Sequence, residues 1–254
     1  MEQVMKEHSK TTVYDWPTRI FHWLFAILFL GAYLIVQTVD DENPLFSLHM
    51  LAGLTIGFLL VLRLVWGLIG TTYARFSSFK LNPVELLQYL KGAVVSKTKR
   101  YLGHNPASSY AAVIMFGCAI GLATTGILMT GGGESDFLKE THELLANIFL
   151  ITVIAHVVGI IFHQIKHADS LWSSMLDGKK KSLLQKTGIP SSKRAAGILF
   201  LLLTLGWTSY LYTNYDRPSQ TLDLFGQKLT LGEEEHESGH TYKAESHEEA
   251  DDDD

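Results

Sequence analysis

The 254 residues are 47% hydrophobic with a mean hydropathy of +0.14, which fits a soluble or a membrane protein, so composition alone does not decide between them. The net charge of −5 hides an asymmetry, because residues 213–254 hold thirteen acids against three bases and leave the rest of the chain positive. With one cysteine, Cys118, and no Cys-x-x-Cys-His, the chain excludes an internal disulfide, covalent c-type haem and structural zinc held by thiolates.

In chain order, Asp15-Trp16-Pro17-Thr18-Arg19 precedes Ile20–Val39, twenty residues without Asp, Glu, Lys or Arg. Leu45–Gly70 follows, with Arg63 as its one fixed charge. Asn82-Pro83 before Val84–Leu90 reads as a capped short helix lying on the membrane surface or on the helix bundle. Gly103-His104-Asn105-Pro106 turns the chain into Ala107–Thr130, which carries no charge and places Cys118 at its middle as a small packing residue. Gly131-Gly132-Gly133-Glu134 reads as a flexible turn before Leu144–Ile165, also uncharged. Gly178-Lys179-Lys180-Lys181 reads as a basic topological anchor, and Ala195–Tyr212 as a fifth, shorter apolar segment. About twenty apolar residues cross a bilayer core, so the sequence predicts five transmembrane helices.

Lys and Arg in the connections set the orientation. Residues 1–19, 71–106 and 166–194 hold three, six and seven of them, whereas 40–44, 131–143 and 213–254 hold none, one and three. The N-terminus is therefore expected in the cytoplasm and the C-terminus outside, in a multi-pass protein of a bacterial inner membrane. No signal peptide is visible. The expected divisions are a cytoplasmic N-terminus (1–19), a four-helix domain (20–180), an extra transmembrane helix (195–212) and an acidic, disordered periplasmic tail (213–254).

Ionisable residues inside spans are costly and usually functional. Here four histidines fall into two pairs by depth. His142 and His156 are fourteen residues apart on one predicted helix, about 21 Å along its axis and within about 40° of one face. His49 lies near the outer end of the second span, level with His142. His22 lies near the cytoplasmic end of the first, level with His156. Two bis-histidine haems stacked across a bilayer need this arrangement, with His49 and His142 holding one and His22 and His156 the other. His163 shares the face of His156 but sits at the cytoplasmic boundary, and is the rival inner ligand. Arg63 lies on the face of His49 about 21 Å deeper, where it either pairs with a haem propionate or snorkels to the headgroups. Gly53 and Gly57 follow His49 on its face and offer room for a porphyrin or for close helix packing, whereas Gly117 and Gly121 read as packing positions. Metal transport and proton relay are disfavoured, since the spans hold no Asp, no Glu and no cluster of Cys or Met at those depths.

The segments Val13-Tyr14-Asp15-Trp16-Pro17-Thr18-Arg19-Ile20-Phe21-His22-Trp23, His49-Met50-Leu51-Ala52-Gly53, Arg63-Leu64-Val65-Trp66-Gly67, Tyr73-Ala74-Arg75-Phe76, Tyr101-Leu102-Gly103-His104-Asn105-Pro106 and His142–Asn147 through His156 together resemble the bacterial di-haem cytochrome b family that includes the membrane subunit of nickel–iron hydrogenases. The resemblance covers about residues 11–180. It implies an all-α integral membrane fold: a four-helix transmembrane bundle binding two non-covalent b haems through His22, His49, His142 and His156, here with a fifth C-terminal transmembrane helix. It also implies exchange of electrons between quinone and an outer redox partner, as an electron-transfer protein or a quinone-linked oxidoreductase subunit of a respiratory chain.

Three readings follow. One is a conduit between the quinone pool and a periplasmic c-type cytochrome. The second is the cytochrome b anchor of a nickel–iron hydrogenase or similar complex. The third is a haem-free metal-transport or structural membrane protein. Membrane lipid and quinone or quinol are expected contacts, and nucleic acid is not. No catalytic side chain is assigned. His163, His104 and Arg63 on the inner side and Glu134 and Glu143 on the outer are the candidates beside a quinone. The acidic tail either steers a cationic partner or merely solvates, and His236, His240 and His247 within it form a weak metal-binding candidate.

Overall fold

In the computed structural model, residues 10–40, 43–95, 100–130, 135–167, 171–182 and 187–231 are described. Strand β1 (Lys10–Thr12) leads into α1 (Trp16–Thr38), and a 3-10 turn at Pro44–Phe46 opens α2 (Ser47–Ile69). The short helix α3 (Pro83–Val94), α4 (Pro106–Thr130) and α5 (Asp136–His167) follow. Then come α6 (Ser174–Asp177), β2 (Lys179–Lys181), α7 (Arg194–Thr213) and strands β3 (Tyr215–Asp216), β4 (Thr221–Leu224) and β5 (Gln227–Thr230). Among the described residues five helices, α1, α2, α4, α5 and α7, are long and apolar enough to cross a membrane.

The helix starts follow from capping. Asp15 Oδ1 accepts from Thr18 N at 3.0 Å and Pro17 stands in the first turn, so α1 begins at Trp16, four residues before the uncharged run. Asn82 caps α3 in the same way, as its sequence suggests, by accepting from Val84 N and Glu85 N. The apolar runs underestimate α5 most: it has 32 residues, about 48 Å of helix against a core of about 30 Å, so its polar first turns project beyond the hydrocarbon.

Helices α1 and α2 pack together, as do α4 and α5, and α2 also lies on α4. A core of Leu60, Cys118, Ala119 and Phe149 gathers Phe21, Phe25 and Phe29 around it, which agrees with Cys118 as a packing residue. The fifth span, α7, lies against both α1 and α2. Trp16 packs on Gly197 so closely that a Cβ there would stand 2.5 Å from it.

Two segments differ from the sequence reading. The basic run after Gly178 is an ordered strand: β2 pairs antiparallel with β1, placing Lys10 opposite Lys181. Gly178 adopts φ +76°, and its carbonyl accepts from Val13 N and Tyr14 N, which binds the N-terminal segment to this strand. The second difference is the stretch expected to be disordered throughout 213–254. Its first part folds into the antiparallel sheet β3-β4-β5. Leu222, Leu224, Leu229 and Leu231 alternate about a Phe225-Gly226 turn in which both residues have positive φ, the conformation that suits a two-residue hairpin. The acids that dominated the average composition lie after Leu231. Residues 232–254, with His236, His240 and His247, lie outside the described residues, as do 131–134 with Glu134.

Candidate haem-binding centre

At the end of the helices that the charge bias assigns to the outer side, the rings of His49 and His142 come together edge to face, with centroids 6.2 Å apart and planes inclined by 67°. Two nitrogen–metal bonds of about 2 Å, plus the roughly 1 Å from each nitrogen to its ring centre, call for a separation of about 6 Å. The second ring nitrogens are already engaged. His49 Nδ1 lies 3.0 Å from the Ala32 carbonyl of α1; a carbonyl can only accept, so Nδ1 carries the proton and Nε2 keeps its lone pair. Thr125 Oγ1 donates to the Gly121 carbonyl at 2.9 Å and lies 2.7 Å from His142 Nδ1, so it accepts the Nδ1 proton and leaves His142 Nε2 free in the same way. Both imidazoles thus have the tautomer of a metal ligand oriented by an outer hydrogen bond. Phe46 stacks on His49 at 5.5 Å.

At the opposite end, which the charge bias assigns to the cytoplasmic side, His22 is near enough to His156 for the two imidazoles to interact electrostatically. Among the described residues, three buried polar atoms here have no hydrogen-bond partner: His22 Nδ1, Arg63 Nη1 and His104 Nδ1. His163 meets α3, where its Nδ1 lies 3.5 Å from Tyr89 Oη, whereas His156 is the imidazole that interacts electrostatically with His22.

Arg63 is 4% exposed, packed within the helix bundle. Its Nη2 donates to the Ala74 carbonyl at 3.0 Å, and the rings of Phe21, Phe76 and Phe116 surround its guanidinium at 5.2–5.9 Å. His104, in the loop before α4, lies between Phe79 and Tyr14. Burial, reinforced by the charges of Lys180 and Arg63, pushes its pKa down to about 4, so it is neutral at physiological pH. Of the outer quinone-side candidates, Glu143 is exposed.

Between the two ends runs a column of aromatic contacts. Phe29 meets Phe149 at 4.4 Å, Phe149 meets Phe25 at 5.8 Å, Phe25 meets Phe21 at 5.3 Å and Phe21 meets Phe116 at 6.1 Å. These rings form an apolar column along α1, α4 and α5. Gly53 has open space where a Cβ would stand, next to His49, whereas Gly121 is pressed against Leu145, a packing position as its sequence suggests. Gly117 differs from that reading: a Cβ there would meet nothing within 4 Å.

Asp15 is the residue whose role sequence reading missed. Fully buried, it accepts from Thr18 N, from Trp66 Nε1 at 3.0 Å and from Thr71 Oγ1 at 2.6 Å. It thereby joins the start of α1, seven residues before His22, to the end of α2. Its place before Trp16-Pro17 signals the cap, but nothing local signals Trp66 or Thr71. Thr125 was missed for the same reason, since only tertiary packing brings it to His142.

Among the described residues no three His, Cys, Asp or Glu side chains converge to hold a bare metal ion. The histidines instead meet in twos, the donor set of an axially ligated haem, and the unpaired cationic and N–H donors at the inner pair suit an anionic group such as a propionate.

Comparison with known proteins gives the same direction. The probable Ni/Fe-hydrogenase B-type cytochrome subunit of Rhizobium leguminosarum bv. viciae is 26% identical over 219 residues, covering 68% of this chain and 90% of that protein. The probable Ni/Fe-hydrogenase 1 B-type cytochrome subunit of Escherichia coli K12 is 24% identical over 211 residues, covering 65% and 88%. No solved structure matches the chain. Residues 13–178, which contain all four paired histidines, Arg63 and Asp15, match the prokaryotic cytochrome b561 family, and the chain belongs to that family.

Proposed function

We propose that this cytochrome passes electrons across a bacterial inner membrane between the quinone pool and a redox partner on the outer face, through two b haems. His49 and His142 hold the outer haem, and His22 and His156 the inner one. The observation that supports the reading is the His49–His142 pair: rings at 6.2 Å whose Nδ1 atoms are both engaged, which leaves both Nε2 atoms available as ligands.

When bound, each haem supplies reversible one-electron chemistry at its iron. The chain's own residues supply the setting. Ala32 and Thr125 fix the tautomer and orientation of the outer imidazoles and raise their basicity. Arg63, held by the Ala74 carbonyl and three rings, has an Nη1 without a partner among the described residues and would supply a cationic donor to a haem propionate. The phenylalanine column keeps the space between the sites dry and low in dielectric. Quinone chemistry couples electrons to protons, and neutral His104 is a hydrogen-bonding group on the inner side suited to it. The excess of Lys and Arg on the 1–19, 71–106 and 166–194 segments supports an N-terminus in the cytoplasm.

Two outer partners are in contention. The names of the relatives favour the second, in which the chain is the membrane anchor of a hydrogenase-like complex. A soluble cationic c-type cytochrome is favoured by the net negative C-terminal segment. Subunits that co-purify with the chain distinguish them.

The test is the absorption spectrum of the detergent-purified protein, oxidised and then reduced with dithionite, with haem counted per chain. The expected result is two b haems in the wild type and about one in both His49→Ala and His22→Ala. A folded protein with no haem overturns the proposal and returns the histidines to metal binding or packing.

A further inference from the structure

The family match ends at residue 178, yet the chain folds on through α7 and the sheet to Leu231. This added unit closes over one face of α2. Leu211, Leu222 and Leu231 are buried to 2% exposure or less and pack with Trp207, Tyr210 and Tyr215 against Met50, Leu51 and Leu54. Trp207 Nε1 donates to the Leu54 carbonyl at 3.4 Å.

The same unit reaches the first turn of α2 by a specific hydrogen bond. Tyr215 Oη donates to Ser47 Oγ at 2.7 Å, and Ser47, 2% exposed, donates to the Pro44 carbonyl at 2.6 Å. His49 stands two residues further on, with Phe46 of the same turn stacked on its ring. At about 100° per residue, Leu51 and Leu54 point away from His49 by roughly 200° and 140°. The turn that bears His49 is therefore gripped from two sides: by the Ala32 carbonyl on the histidine face and by the C-terminal unit on the other.

We infer that the C-terminal unit positions the outer haem ligand, with Tyr215 as the positioning residue acting through Ser47, so that this added sheet sets the potential of the outer haem. The inference rests on the outer-haem reading above. The physical route is twofold. A fixed Ser47-to-His49 turn holds the imidazole plane, and the leucine roof keeps water from the end of the helix. Loosening the roof admits water, which favours the more highly charged ferric form and lowers the potential.

The experiment is potentiometric titration with low-temperature electron paramagnetic resonance on the full chain, comparing wild type, Tyr215→Phe, Ser47→Ala and the double variant. The outer signal is identified as the one absent from His49→Ala. Tyr215→Phe keeps the ring and removes only the hydroxyl, so it is expected to retain two haems. The outer component should titrate lower, well under half reduced at the wild-type midpoint, with a shifted g value, while the inner component is unchanged. The double variant should move no further than Ser47→Ala alone, which already removes the Tyr215–Ser47 bond along with the Ser47–Pro44 bond. An outer haem that titrates as in wild type in both single variants overturns the inference and leaves the electron-transfer reading intact. A wild type without an outer haem signal sinks both together.

Discussion

Single polar atoms decide how the outer histidines present themselves. Thr125 Oγ1 has its own proton committed to Gly121 and can only accept from His142. Thr125→Val keeps the shape and removes the acceptor, and outer-shell partners of this kind are worth about 10–100-fold in metal affinity. The expected result is outer-haem loss at lower competing apo-acceptor concentration than in wild type, with the inner haem retained, read by haem-transfer titration. Arg63→Leu tests the inner side. Its unpaired Nη1 would be lost, so the inner component should fall in occupancy or potential while the outer one stays. His104 carries a pH dependence with a definite sign. Its folded pKa of about 4 lies below the ordinary 6.5, so its neutral form is favoured by the fold. That stability is fully present above pH 6.5 and is lost as the pH falls through 4. His104→Leu should flatten the decline in thermal midpoint between pH 6.5 and 4; an unchanged slope would assign the acid sensitivity elsewhere.

Elements are joined by buried polar groups that no periodicity announces. Asp15 accepts three hydrogen bonds across the junction of α1 and α2. Asp15→Ala would remove a helix cap and orphan Trp66 Nε1 and Thr71 Oγ1, a loss of about 3 kcal/mol. It should lower the unfolding midpoint in detergent and loosen the inner haem, seven residues downstream, before the outer. Five spans were legible in the sequence because runs of about twenty uncharged residues have one physical use. Their ends were less legible: α1 and α5 extend past the apolar runs, since caps and polar helical turns carry no hydropathy signal. The sheet of 215–230 was hidden by averaging a neutral hairpin with the acids that follow it. That His49 would meet His142 was legible from helical rise alone. The partners Ala32, Thr125 and Asp15 were not, because each contact joins residues brought together only by tertiary packing.

The molecule as a whole has two ends of different character. The inner end is a polar network of Asp15, Arg63, His104 and the paired β1 and β2. The outer end is an imidazole pair beside the apolar C-terminal roof. The charge of the C-terminal segment belongs almost entirely to residues 232–254, which hold eleven acids and one lysine. If these residues steer a cationic partner, reduction of that partner should slow with rising salt, and deletion of 232–254 should abolish the salt dependence. Unchanged stopped-flow kinetics after deletion would leave the segment a solvating role only.

The joining of both chain ends has a consequence for how the protein is made. Val13 and Tyr14 bond to Gly178, Trp16 N donates to the Ser192 carbonyl, and Trp16 packs on Gly197. The first span to leave the ribosome therefore waits, with one flank in lipid, until the last has been inserted. Chains released before α7 is made should present an open α1 flank to the membrane's proteases.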